Sequence, residues 1–277
     1  MIAAQIQTFG SATLDTLEGF GRFVRFCGSA GRWLVRGVGR WGRLRLLGPQ
    51  LYAIGTRSIV VVMVVGAFVG MVLAVEAYDQ FAAIGQAMRL GGVINISVVK
   101  QIGPVLAAVM IAGRVGGAVS AELGTMRVTE QIDALRVMGA DPMGYLVVPR
   151  VVACVLMMPV LTVFSDLLGV AGGYFVTVYG YGVGAAPYWE FSARFVGTYD
   201  IMIGIVKSLV FGLAIGLISC YKGFHCASGA AGVGRAATDA FVTSFIAIIV
   251  SNFFLAKLLN HMYEILYGPE SITAFSG

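Results

Sequence analysis

SIVVVMVVGAFVGMVLAVEAY, Ser58 to Tyr78, carries no charged side chain until Glu76 near its end. A helix needs about 20 mostly apolar residues to cross the hydrocarbon of a bilayer, and this stretch supplies them without a break. Four more stretches meet the same test. They run from about Val93 to Val119, Leu146 to Tyr179, Ile201 to Tyr221 and Ala237 to Leu259. Leu146 to Tyr179, the third span in chain order, is long enough to be tilted or broken. Apolar residues are 58% of the chain and charged residues 12%, where a soluble domain is roughly 25% charged. The 38 glycines are spread through the apolar runs, where small residues let membrane helices approach closely. The sequence predicts an all-α membrane protein in one domain, residues 1–277. It divides into an N-terminal interfacial segment (1–57), a transmembrane core of about five helices (58–259) and a tail on the outer side (260–277). Nothing in the first twenty residues reads as a cleaved signal.

On a helix of 100° per residue, Arg22, Arg25, Arg32, Arg36, Arg40 and Arg43 fall within an arc of roughly 80°. Phe23, Phe26, Trp33, Leu34, Val38, Trp41 and Leu44 fall on the other side. That pattern predicts a helix lying in the interface, its arginines toward anionic headgroups. Glycines at 28, 31, 37, 39 and 42 weaken it, and a partly disordered basic tail is the alternative. Lys and Arg in the loops set the orientation. The N-terminal segment holds eight arginines, counting Arg57. Arg127 and Arg136 lie between spans two and three, Lys222 and Arg235 between spans four and five. The opposite loops hold only Arg89 and Arg194. The N-terminus is therefore expected in the cytoplasm and the C-terminus outside.

The polar segment between spans two and three, SAELGTMRVTEQIDALRVMGADPMGYLVVPR, runs without proline from Ala121 to Ala140. Leu123, Met126, Ile132, Leu135 and Met138 give an apolar stripe, and Glu122, Arg127, Glu130, Asp133 and Arg136 give charges of both signs. A short amphipathic helix there has nothing of its own chain to bury against, which predicts docking onto a cytoplasmic partner. A helix lying on the membrane is the alternative, although surface helices favour Lys and Arg.

The run QIGPVLAAVMIAGRVGGAVSAELGTMRVTEQIDALRVMGADP resembles the MlaE/YrbE family of ABC-transporter permeases, membrane subunits of bacterial lipid transporters that work with MCE proteins. GAFVGMVL in span one, LVVPRVVACVLMMPVLTVFSDLLGVAGGYFV in span three and GAAGVGRAATDAFVTS before span five match as well. The matches cover about Leu51 to Phe254, in order. The resemblance implies a cytoplasmic coupling helix between the second and third spans, with Glu122, Arg127, Glu130, Gln131, Asp133, Leu135 and Met138 as ATPase-coupling candidates. It also implies a bacterial inner membrane, a second copy of the chain, an outer-side MCE partner and a phospholipid or related lipid as substrate. No nucleic acid, metal or cofactor is expected in this chain. GAAGVGR lacks the GK[ST] ending of a phosphate-binding loop, so ATP and Mg belong to a separate ATPase.

Ionisable side chains inside a span are costly and therefore functional candidates. Glu76 and Asp79 end span one; Lys100 and Lys207 lie at similar depth in spans two and four. With Tyr78 and Gln101 they are candidates to line an outward-opening lipid cavity, where the lysines would meet a phosphate headgroup. Structural pairing or snorkelling is the alternative. Family members often carry a basic–acidic pair before the Gly-Pro of span two, where this chain has Lys100 followed by Gln101. Asp166 reads as a hydrogen-bonded acid or a proton relay, and Arg114 and Glu122 could pair. A membrane-embedded lipid enzyme would need a catalytic set at one depth, and the two histidines fall on opposite sides. A self-sufficient channel would need no docking helix.

Overall fold

A computed structural model describes residues 2–36 and 44–267, with side chains described for 17–35 and 46–265. Among the described residues all regular structure is helical. In order these are α1 (Ile2–Arg36), α2 (Leu46–Ala83), α3 (Ala87–Val128), α4 (Gln131–Val137), α5 (Met143–Gly180), α6 (Ala185–Phe195), α7 (Thr198–Phe224) and α8 (Ala230–Tyr267). Five of them, α2, α3, α5, α7 and α8, are long and apolar enough to cross a membrane. The chain is an all-α membrane protein. α4 lies at one end of the bundle and α6 at the other.

α5 is the central helix: 67% of its most apolar stretch is buried, against 11% for α8. Lipid tails are as apolar as leucine, so helices gain nothing here from escaping water and must gain from close packing. Glycine makes that possible on both of α5's main contacts. A Cβ on Gly70 of α2 would run into the Gly169 carbonyl of α5, and one on Gly66 would strike Ser165. On α7, a Cβ at Gly212 would lie 2.7 Å from the Cys154 carbonyl oxygen, and one at Gly216 3.0 Å from Val151.

α3 is not a regular helix. π-helical turns at Val98–Ile102 and Ala112–Gly116 flank a segment opened by Gly103 and Pro104. Pro104 has no N–H, so the Lys100 carbonyl four residues back loses its helical donor. In hydrocarbon such a carbonyl must find another, and the side chain of Lys207 supplies it, as described below.

Three regions differ from the sequence reading. First, α3 continues past Val119 to Val128. Leu123 is fully buried, and Ser120 Oγ donates to the Ala236 carbonyl of α8 at 3.0 Å. The polar segment is thus two helices, separated at Thr129 and Glu130. Glu130 adopts φ 59°, ψ 13°, a left-handed conformation that costs a non-glycine residue roughly 1–2 kcal/mol. Second, the stretch between the third and fourth spans, around Pro187 and Trp189, holds a helix, α6. Asn95 Nδ2 donates to Ser192 Oγ (2.7 Å), and Tyr188 Oη donates to Asn95 Oδ1 (3.0 Å). Burial pushes the Tyr188 phenol up to about 12, so it remains a donor at neutral pH. Asn95→Ala should strand the buried Tyr188 hydroxyl, while Ser192 Oγ keeps its bond to the Tyr188 carbonyl, and should cost about 1–2 kcal/mol; trypsin cleavage after the exposed Arg194 should then accelerate. Third, α8 runs from Ala230 to Tyr267, starting before the expected Ala237 and taking in the start of the expected tail.

Candidate functional site

Lys100, Asp200 and Lys207 meet at the proline-opened turn of α3. Lys100 Nζ pairs with Asp200 Oδ1 at 3.0 Å, the two side chains 28% and 15% exposed. Asp200 sits in the first turn of α7, where its other carboxylate oxygen accepts the Gly197 N–H at 3.0 Å. That contact stabilises the helix start and fixes the carboxylate toward Lys100. One face of α7 further on, Lys207 is 1% exposed. Its ammonium donates to the Lys100 carbonyl at 3.1 Å and to Gln101 Oε1. Lys207 thus replaces the donor that Pro104 lacks.

The structure brings together Lys100, Gln101 and Lys207 from the sequence-predicted cavity set, but not Glu76, Tyr78 or Asp79. Glu76 and Asp79 are exposed on α2 and form no ion pair with either lysine. Tyr78 stacks on Tyr181 at 3.8 Å between ring centroids. The acid that meets Lys100 is Asp200, which the sequence reading missed. Its signal was present: Asp200 and Lys207 are seven residues apart, two turns along one helix face. Asp166, on α5, projects against Gly103, and its Oδ1 has no hydrogen-bond partner.

At the α4 end, Glu122 pairs with Arg150 (2.8 Å), which also donates to the Leu146 carbonyl. The expected partner, Arg114, is not the one used. Arg127 and Arg136 both hold Asp133, at 3.0 and 2.8 Å. This arrangement closes the turn through Glu130. The apolar stripe divides. Leu123 and Ile132 are fully buried in the chain's own core, with Met126 and Leu135 packed against it. The segment therefore does have something of its own chain to bury against. What remains outside is Val137 (89% exposed) and Met138 (72%) beside exposed Glu130, Gln131 and Arg136.

α1 presents Arg22, Arg25 and Arg32 as exposed side chains. The side chain of Arg36, and residues Arg40 and Arg43, lie outside the described residues. The opposite face of α1 packs on protein. Phe26 is buried among Tyr221, Phe224 and His225. Trp33 Nε1 donates to Asp141 Oδ2 at 2.9 Å, and Asp141 Oδ1 accepts the Met143 N–H at 2.8 Å. A cleft of about 660 Å³ lies between α1, the α4–α5 connection and the end of α7, with Phe26, Arg136 and His225 in its wall.

The sequence that builds these helices matches a known family of proteins. Residues 47–258 fit the family described as Permease MlaE. The chain belongs to the MlaE permease family. Curated relatives agree. A probable ABC transporter permease protein of Rickettsia felis is 40% identical over 249 residues, covering 90% of this chain and 95% of its own. The Haemophilus influenzae intermembrane phospholipid transport system permease protein MlaE is 30% identical over 262 residues, 94% of this chain and 98% of its own. TRIGALACTOSYLDIACYLGLYCEROL 1, chloroplastic, of Arabidopsis thaliana is 37% identical over 208 residues, covering 75% of this chain and 59% of its own. In this MlaE-family chain the lysine cluster, the glycine contacts of α2 and α5 and the α4 segment all fall within the matched region.

Proposed function

We propose that this chain is the membrane subunit of an ABC transporter that moves phospholipid or a related lipid between a bacterial inner membrane and an outer-side MCE protein. A separate cytoplasmic ATPase supplies the energy. The N-terminus and α4 face the cytoplasm, α6 and the C-terminus face outward, and two copies form the pore. The observation that carries this reading is the outer face of α4. Val137 and Met138 are among the most exposed large apolar side chains described. They belong to a segment of mixed charge, where a membrane-lying helix would carry mainly Lys and Arg. Glu122, Arg127, Glu130, Gln131, Asp133, Leu135 and Met138 then divide in role. Glu130, Gln131 and Met138 contact the ATPase. Leu135 seats the helix on the bundle, and the Arg127–Asp133–Arg136 pairing with the Glu122–Arg150 pair holds its shape. Lys100, Gln101 and Lys207 with Asp200 form the polar part of the lipid path, and Arg22, Arg25 and Arg32 hold α1 at anionic headgroups.

Affinity purification of the tagged chain in mild detergent should recover an ATP-hydrolysing subunit and an MCE protein. Recovery of the chain alone would refute the reading and favour a self-sufficient channel. Glu130→Lys should reduce ATPase recovery roughly tenfold, the scale of one lost charged interface contact. Glu130→Gly relieves the left-handed strain and should lower it less.

A further inference from the structure

In the cluster on the α3 turn, the Lys207 ammonium has no carboxylate partner. Lys207 is buried and reaches only neutral acceptors, the Lys100 carbonyl and the Gln101 side-chain oxygen. Lys100 pairs with Asp200, whose second oxygen is committed to the Gly197 N–H. Two ammonium groups are thus served by one carboxylate. Among the described residues no acid pairs with Lys207; the ion pairs there are Lys100–Asp200, Arg127–Asp133, Arg136–Asp133, Arg150–Glu122 and His261–Glu264. Asp166 faces Gly103 on the same turn and pairs with neither lysine. Gln101 Oε1 accepts a hydrogen bond from Lys207 but brings no charge to balance it. A buried charge without a counter-charge is costly, so the site favours an arriving anion.

A second feature says what brings that anion. An apolar groove of about 550 Å³ lies between α2 and α3, lined by Val64, Phe68, Val72 and Leu73 and closed by Ile102, the neighbour of Gln101. A free phosphate has no use for such a groove; an acyl chain does. We propose that the missing counter-charge is the phosphate of a lipid headgroup, and that Gln101 sets a preference for phospholipids of net negative charge over zwitterionic ones. A zwitterionic headgroup carries its own cation into a site that already holds two. An anionic headgroup brings only the charge the site lacks. The inference rests on the permease reading above and specifies its substrate.

The test is mass spectrometry of phospholipids that co-purify with the assembled complex, measured against the bulk membrane of the same cells. The wild-type complex should be enriched in net-anionic phospholipid by roughly threefold, the ratio given by one partly solvated ion pair. Gln101→Glu adds the missing negative charge, and Lys207→Gln removes the excess positive one. Both variants should lose the enrichment, a convergence that a purely structural role for either residue does not produce. Equal headgroup ratios in wild type and Gln101→Glu would overturn the inference while leaving the permease reading intact. A complex carrying neither phospholipid nor ATPase would overturn that reading itself. Washing with excess inorganic phosphate should leave the enrichment unchanged; if it abolishes the difference between wild type and variant, the site binds a free anion and the lipid assignment falls.

Discussion

Gly70→Leu is expected to prevent assembly of the five-helix bundle. α2 and α5 approach closely through glycines, and a Cβ at Gly70 would overlap the backbone carbonyl of Gly169. The obstruction is backbone, so no rotamer of a neighbouring side chain relieves it; one helix must move away from the other. That movement would also open the adjacent contacts of Gly66 with Ser165 and of Gly172 with Ala67. Without a hydrophobic driving force between helices in lipid, the pair has little to hold it once close packing is lost. The expected cost is more than about 3 kcal/mol. Size-exclusion elution and thermal unfolding in detergent provide the measurement. Gly48→Leu is the control on the same helix, since a Cβ there meets nothing within 4 Å. If Gly70→Leu elutes and melts like the wild type, the packing described for α2 against α5 is wrong.

The spans were legible in the sequence because a bilayer imposes one crude requirement, length times apolarity, and Ser58 to Tyr78 meets it alone. The span ends were not. Glu122 and Arg127 made the stretch after Val119 look like a polar segment separate from the span. Yet their charges point outward while Leu123 and Gly124 are buried on the same helix, and a helix that emerges from the membrane can carry both. Of the stripe Leu123, Met126, Ile132, Leu135 and Met138, the first four pack on the chain's own core and Met138 stays exposed. Periodicity reports that a face is buried, not whether its own chain or another buries it. The Lys100–Asp200 and Arg150–Glu122 pairs were hidden for a related reason. Each joins different helices, and only the packing around α5 decides which meet. What the sequence did contain was Gln101 beside Lys100, read there as a departure from the family's basic–acidic pair; the structure places its side-chain oxygen on Lys207.

Replacing Val137 and Met138 together by aspartate should abolish recovery of the ATPase while leaving the permease folded. At 89% and 72% exposure these side chains contribute almost nothing to the packing of the isolated chain, so their loss should not shift its unfolding temperature in detergent. In a complex they would occupy the centre of the α4 contact, where a few desolvated apolar anchors carry most of the binding energy. Two buried charges in their place would cost at least about 3 kcal/mol, more than a hundredfold in affinity. Ile132→Asp supplies the contrast. Ile132 is fully buried against the bundle, so its replacement should unseat α4 and lower the stability of the permease as well as its recovery of ATPase. Loss of stability in the double aspartate variant would mean that Val137 and Met138 serve the fold. Unchanged ATPase recovery in that variant would mean that the partner docks elsewhere, and the coupling role of α4 would have to be abandoned.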